Sequence, residues 1–250
     1  MINVLISGCN GKMGQEVAKQ LNNNENFSIL AGFDKLDTGD NKFPVYTDLY
    51  TITEHPDIII DFSIPEATFL VLEYASKNNI PVVVATTGFT EEQLDKIKKY
   101  SEIIPIFRSA NMSYEINLMA KVAAQIATLI PDADIEIVET HHNRKIDAPS
   151  GTALFLADTI NNALDNSMYY EYNRHSKREK RNKKEIGIHS IRGGNIVGKH
   201  TVSFYSNDEC FELSQNVESR SVFAKGAVKA ADFLVHKPAG LYNMNDLFKN

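Results

Sequence analysis

The chain has 250 residues, 43% of them apolar and 23% charged, with a net charge of −6 at neutral pH. That is enough chain to bury a core in one or two domains. The acidic balance speaks against a general nucleic-acid binder, whose phosphate partner demands surplus positive charge. No apolar run reaches bilayer-spanning length. Two cysteines, Cys9 and Cys210, with no CxxC pair indicate neither a disulfide framework nor a cysteine zinc site. Met1-Ile-Asn-Val-Leu-Ile6 reads as the start of a strand without a basic leader, so the expectation is a cytoplasmic protein with no membrane and no nucleic-acid partner.

In chain order, residues 2–7 form an apolar run expected to be a buried strand. Gly8-Cys9-Asn10-Gly11-Lys12-Met13-Gly14 follows, and then a helical pattern through Val17, Ala18 and Leu21. Strand, glycine loop and helix in that order form the context of a dinucleotide fingerprint, in which glycines let the backbone turn tightly against a pyrophosphate. Gly11 and Gly14 fit the last two glycines of GxGxxG. Cys9 holds the first slot and Gly8 sits one residue early, with Asn10 able to take a left-handed turn. A plain strand-to-helix turn is the competing reading. Cys9 is either a thiol acidified by the helix start or a small packing residue.

A second strand, residues 27–33, runs into Asp34-Lys35. Asp34 lies about 20 residues beyond Gly14, where a ribose-binding acid is expected. The acid favours NADH, while Lys35 is either a partner for the 2′-phosphate of NADPH or a solvated turn lysine; together they suggest use of both cofactors. Strands are expected at 57–62, 80–85 and 104–107, with a helix through Ala67, Leu70, Val71 and Tyr74 between the first two. Thr90 with Gln93 forms a capping box for the next helix. Strands alternating with helices read as a Rossmann-like, doubly wound parallel sheet of the α/β class. Ligands of such sheets bind at the carboxyl ends of the strands, which makes Thr86-Thr87-Gly88 and Ser109-Ala110-Asn111-Met112 candidate cofactor loops.

The tempo changes after Met112. Residues 113–130 form one long apolar helix, and 134–140 alternate as a strand. That strand delivers Glu139-Thr-His141-His142-Asn-Arg-Lys145-Ile-Asp147-Ala-Pro149-Ser150-Gly151-Thr152. Histidine moves protons at working pH, and a nearby lysine offers a fixed cation for a carboxylate. Ser150 is a good N-cap for the helix that follows, whose free N–H groups and positive dipole end make a second anion site. A polar connector with solvated histidines is the plainer reading. Residues 165–185 are polar and rich in Lys and Arg, which suggests a solvated loop. Residues 186–192, 196–205 and 210–215 read as antiparallel strands, and 221–235 as an amphipathic helix returning to the first domain. The expected division is therefore 1–112, completed by 221–250, and 113–220.

These residues resemble one family over nearly the whole chain: the 4-hydroxy-tetrahydrodipicolinate (dihydrodipicolinate) reductases of bacterial diaminopimelate and lysine synthesis. The segments that carry the resemblance are Gly8–Gly14, Asp34-Lys35, Thr86-Thr87-Gly88-Phe89, Ser109–Met112, Glu139–Ala153, Arg192–His200 and Ser219-Arg220. The resemblance implies an NAD(P)H-dependent enzyme that reduces a small cyclic dicarboxylate with loss of water. It gives His141 the role of catalytic acid/base and Lys145 that of proton donor, with His142, Gly151 and Thr152 as substrate-binding residues. Gly8, Cys9, Asn10, Gly11, Lys12 and Met13 would hold the pyrophosphate, Asp34 the ribose and Lys35 a 2′-phosphate. Ala85, Thr86 and Thr87, with Ser109, Ala110, Asn111 and Met112, would contact the nicotinamide side. It further implies a homotetramer assembled through the sheet of an α+β second domain with a mixed or antiparallel sheet.

Three positions depart from the family pattern. Ala85 stands where many members have Gly, Met112 where many have Phe, and Gln215 where a histidine is common. They bear on cofactor preference and loop shape. Two other readings compete with the reductase. A metal-dependent hydrolase would use His141, His142, Glu136 and Glu139 as ligands, but adjacent histidines on an extended chain point to opposite faces and rarely share one metal. A nucleotide-sensing module would need the glycine loop but has no use for His141 and Lys145 together.

Overall fold

A computed structural model describes residues 1–249 and divides the chain into two units, one of 1–114 with 220–250 and one of 115–219. The first unit opens with β1 (Ile2–Ser7), α1 (Lys12–Asn22), β2 (Phe27–Phe33), β3 (Val45–Tyr46) and β4 (Ile58–Asp61). It continues with α2 (Pro65–Asn78), β5 (Val82–Val84), α3 (Glu91–Ser101) and β6 (Pro105–Arg108). The strands are apolar at nearly every position because both faces of the sheet are covered. Val4, Ile6, Ile58, Ile60 and Val83 face one buried cluster, while Leu5, Ile59, Val82 and Val84 face the other. Thr90 and Gln93 form the expected capping box at the start of α3.

The second unit follows with α4 (Tyr114–Leu129), β7 (Asp134–His141), α5 (Gly151–Ala163), β8 (Tyr169–Glu171), β9 (Glu185–Arg192), β10 (Gly198–Tyr205) and β11 (Cys210–Val217). Its sheet has the order β11-β10-β7-β9-β8. β9 lies parallel to β7, and β10 lies antiparallel to β7 on the other side. This corrects the expectation of three successive antiparallel strands: β9 and β10 are not neighbours. β7 alternates buried and half-buried residues along its whole length, so it gains most by pairing on both edges. The Gly193-Gly194-Asn195 segment therefore passes across the end of β7. There Gly193 N–H donates to the His141 carbonyl at 2.9 Å, and His142 N–H donates to the Ile196 carbonyl at 2.8 Å.

The basic segment is tied down rather than simply solvated. Arg181 donates to Asp134 and Glu136, both at 3.0 Å, and to the Ile135 carbonyl at 2.9 Å. Arg174 pairs with Glu185 and Lys177 with Glu171. Charge pattern alone could not show these partners, because the carboxylates come from β7, β8 and β9.

The chain then returns to the first unit as α6 (Ser221–Leu234) and β12 (Gly240–Tyr242). The first sheet has the order β12-β6-β5-β4-β1-β2-β3 and is parallel throughout. α6 packs with α1 on one face, where Gly226 lets the Met112 carbonyl approach so closely that any Cβ would overlap it. The edge strands β3 and β12 were not expected, since two or three residues carry no readable period.

Candidate active site

The inner face of the second sheet changes character along β7. Ile135 and Ile137 belong to the apolar core with α4 and α5, whereas Glu139 and His141, next on the same face, are polar and still buried. Neighbouring strands change at the same level: β9 places Ser190 beside Glu139 and Arg192 beside His141, and β10 places His200 opposite Glu139. A polar layer this deep must be internally satisfied.

Glu139 is fully buried and carries most of that burden. Arg192 forks onto both its oxygens, Nη1 to Oε2 at 2.8 Å and Nη2 to Oε1 at 2.7 Å. The Ser150 N–H donates to Oε1 at 3.1 Å, and His141 Nδ1 lies 2.6 Å from Oε2. Burial alone would push the Glu139 carboxyl up, but hydrogen bonds from Arg192, Ser190 and His141 outweigh it and bring the pKa down to about 2. An ionised carboxylate only accepts, so His141 carries its hydrogen on Nδ1 and directs Nε2 away from Glu139. Gly198 faces that atom, and a Cβ there would come within 3.1 Å of Nε2.

Ser150 caps α5 as the sequence indicates, its Oγ accepting from the Ala153 N–H at 3.1 Å. No acid sits in the first turn, and Gly151 opens onto free space. Ser150 Oγ also lies 3.1 Å from His200 Nε2. His200 is 2% exposed, and burial followed by the neighbouring His141 pushes its pKa down to about 4, so it is neutral. The His200 tautomer sets which of the two groups donates in that bond. Lys145 Nζ meets Asp147 Oδ1 at 2.8 Å, which holds the exposed Asp147 carboxyl below its usual range. His142, next along the chain, is half-buried.

The first unit holds the other group of expected residues, lining a cleft of about 790 Å³ that includes Gly8, Asn10, Gly11, Asp34 and Lys35. Gly8, not Asn10, takes the positive φ, at +75°, and a Cβ on it would stand 2.6 Å from the Phe62 carbonyl oxygen. This corrects the expectation that Asn10 makes the turn. Asn10 instead donates its backbone N–H to Asp34 Oδ2 at 2.9 Å, and its side chain holds the Leu36 carbonyl and Asn41, both at 2.7 Å. Lys35 is exposed, with its N–H on Asp34 Oδ1 at 2.8 Å. α1 begins at Gly11 with no side-chain cap and no acid in its first turn, where Lys12 is exposed and Met13 half-buried.

Cys9 is a packing residue. It is buried against Gly32, and burial, with Asp34 adding to it, pushes its thiol up to about 12. Ala85 and Thr86 are buried at the end of β5, Thr87 and Ala110 are exposed, and Ser109 bonds the Asn111 carbonyl at 2.7 Å. The Met112 side chain lies in the core beside α6. Asp61, which the sequence did not single out, binds Ser63, Thr68 and Thr86 hydroxyls at 2.6, 2.5 and 2.9 Å and so fixes the ends of β4 and β5.

Residues 2–112 match the family model described as "Dihydrodipicolinate reductase, N-terminus", and residues 115–248 match "Dihydrodipicolinate reductase, C-terminus". The chain belongs to the dihydrodipicolinate reductase family. Among its relatives, the 4-hydroxy-tetrahydrodipicolinate reductase of Caldanaerobacter subterraneus subsp. tengcongensis is 50% identical, with 100% of this chain and 99% of the relative covered. That of Clostridium novyi is 46% identical over 100% and 99%. The dipicolinate-bound dihydrodipicolinate reductase from Paenisporosarcina sp. TG-14 superimposes with a TM-score of 0.82 at 30% identity, covering 98% and 99%.

For a reductase of this family, the glycine loop fits a dinucleotide: Gly8 and Gly14 admit no side chain, and the start of α1 is uncapped. The hydrolase reading fares poorly. Arg192 occupies both oxygens of Glu139, putting a cation where a metal would need a ligand. No group of three His, Cys, Asp or Glu suited to a metal occurs among the described residues. The same polar cluster also contains residues to which the sequence assigned no role, namely Arg192 and His200. Strand alternation was the signal available, since both fall on the inward parity of their strands.

Proposed function

We propose that the chain reduces 4-hydroxy-tetrahydrodipicolinate to tetrahydrodipicolinate with NADH or NADPH and loss of water, in diaminopimelate and lysine synthesis. The observation that carries this reading is His141, held through Nδ1 by an ionised Glu139 beside the capped start of α5, in a chain of this family. Bound reduced nicotinamide supplies the hydride. The protein positions it and handles the proton that the reaction consumes.

In this reading His141 acts as the acid/base through Nε2, and Lys145 leaves Asp147 to meet a substrate carboxylate and deliver a proton. The Gly151 and Thr152 N–H groups receive a carboxylate at the start of α5, where the positive end of the helix dipole favours an anion, and His142 contacts the ring. Gly8 to Met13 cradle the pyrophosphate, Asp34 accepts from the ribose, and Lys35 meets a 2′-phosphate. The 85–87 and 109–112 segments border the nicotinamide. A small cyclic dicarboxylate is thus recognised by two cationic ends. The 1–112 and 221–250 segments serve as the dinucleotide domain, and 113–220 as the substrate and assembly domain. A homotetramer built through the second sheet is supported by the half-exposed Ile191 and Tyr205 on its outer face, and sedimentation velocity would test it. A cytoplasmic location suits a biosynthetic enzyme; among the described residues no helix is long and apolar enough to cross a membrane.

The direct test is oxidation of NADPH, and separately NADH, with substrate generated in place by a synthase condensing pyruvate and aspartate semialdehyde. Synthase-dependent loss of nicotinamide absorbance is the expected result. Cofactor binding without oxidation would overturn the reading and favour a nucleotide-sensing module.

A further inference from the structure

We infer that Glu139 and Arg192 form a positioning pair that sets the reacting nitrogen of His141 and, through one carboxylate, holds the three parts of the substrate site in register. The inference rests on the proposed role of His141 and adds two residues to it.

The three parts lie on one short stretch of chain but in three different elements of it. His141 ends β7, the anion-binding start of α5 follows Ser150, and Lys145 rides on the loop between them. Each makes a separate bond to the pair. His141 Nδ1 is 2.6 Å from Glu139 Oε2, and the Ser150 N–H donates to Oε1 at 3.1 Å. Arg192 Nη2 donates to the Asp147 carbonyl at 2.7 Å while also gripping Glu139, so the Lys145 loop is tied to the same carboxylate.

The β-sheet explains why these residues can meet. Glu139 and His141 are two apart on one strand and share its inner face. The parallel register sets Arg192 beside His141, one side-chain pair beyond Glu139. A guanidinium on a long stem reaches back across that gap and presents two parallel donors, the geometry that a lysine cannot reproduce.

Charge and polarity make the pair more than a brace. Five donors converge on Glu139: two from Arg192 and one each from the Ser150 N–H, the Ser190 hydroxyl and His141. A carboxylate accepts from all of them, whereas a glutamine must turn an NH2 toward some. The donor most easily surrendered is that of the neutral imidazole, which can exchange tautomers. Glu139→Gln therefore moves the hydrogen of His141 from Nδ1 to Nε2 and reverses its orienting bond, so that the nitrogen facing the substrate carries the wrong protonation.

The test compares Glu139→Gln, Glu139→Asp and Arg192→Lys with the parent enzyme and with His141→Gln. Glu139→Gln is expected to lower kcat by about 10²–10³-fold, as loss of an oriented acid does. The KM for NADPH should stay within about twofold, a split that a general loss of structure would not give. Nitrogen NMR of the histidines should show the His141 resonances change from the Nδ1–H to the Nε2–H pattern. Glu139→Asp should restore part of the turnover and the parent pattern. Arg192→Lys should raise the KM for the dicarboxylate as well, because the Lys145 loop loses its tie. Parent-like kcat and an unchanged nitrogen spectrum in folded Glu139→Gln would overturn the inference. If Glu139→Gln does not fold, Arg192→Lys decides the question, and full activity in that variant would be fatal to the pair. An inactive parent would refute the proposed reaction instead, while the nitrogen spectra would still decide the tautomer.

Discussion

His141 and His200 stand edge to face with ring centroids 5.2 Å apart, one bonded to a buried carboxylate and the other to the Ser150 hydroxyl. Burial, followed by the neighbouring His141, keeps His200 neutral, with its pKa pushed down to about 4.

Acid should therefore unfold this protein in two windows. An unfolded histidine titrates near 6.5, so between that value and about 4 the unfolded chain holds a proton that folded His200 refuses. Stability falls as pH drops through this window, by roughly 3 kcal/mol at about 1.4 kcal/mol for each pH unit. Glu139 adds a second loss between its ordinary 4.5 and about 2, because its folded pKa is depressed and protonation releases Arg192. Urea midpoints across the acid range would show both. A His200→Leu variant should lack the first loss, and a parent-like slope in that variant would mean another group is responsible.

Substitutions at His141 and Lys145, the two residues proposed to handle the proton, should separate chemistry from binding. His141→Gln should cost about 10²–10⁴-fold in kcat with cofactor affinity unchanged, since it removes an acid and not an anchor. Lys145→Ala should lower kcat and also raise the substrate KM, because its ammonium is the cation that Asp147 holds in this structure. Asp147 is exposed and tolerates losing its partner, so Lys145→Ala should melt near the parent temperature. A Lys145→Ala enzyme with normal KM and an unaltered pH–rate profile would remove lysine from the mechanism.

Two neighbouring glycines should respond unequally to alanine. At Gly14 a Cβ would overlap the Gly8 carbonyl oxygen and sit 2.7 Å from Cys9 Cα, both backbone atoms that cannot step aside. At Gly11 the only close neighbour is the Gly8 carbonyl oxygen at 3.2 Å. Gly14→Ala should cost roughly 1–3 kcal/mol in thermal unfolding, as overpacking does, and weaken NADPH binding with it. Gly11→Ala should keep most of its stability. Equal melting temperatures would show that the loop is not packed as described.

The doubly wound sheet was legible because its signal is local: apolar runs a few residues long, punctuated by glycine and a capping box at Thr90. The Glu139 to Thr152 stretch was legible for the same reason, with all its members on one short segment. What escaped is non-local. Arg192 gains its role only when β9 lies parallel to β7, and the sequence suggested an antiparallel run instead. Arg181 looked like one cation in a solvated stretch until Asp134 and Glu136 came beside it. Cys9 could be read as reactive or packed, and only burial against Gly32 decides for packing.

Cofactor preference should turn on Lys35 more than on Asp34. Asp34 already accepts from the backbone N–H groups of Asn10 and Lys35, at 2.9 and 2.8 Å, so it braces the glycine loop as well as offering an oxygen to a ribose hydroxyl. Asp34→Asn should consequently weaken both cofactors, because an amide cannot accept at both oxygen positions. Lys35 has an exposed side chain beside the same cleft, so Lys35→Ala should leave NADH kinetics untouched. Its effect should be confined to NADPH, whose 2′-phosphate loses a charge-assisted contact; a KM rise of about three- to tenfold is expected, shrinking at high salt. Steady-state kinetics with each cofactor at low and high ionic strength would read this directly. Equal changes for NADH and NADPH would place the 2′-phosphate elsewhere and return Lys35 to a solvated turn residue.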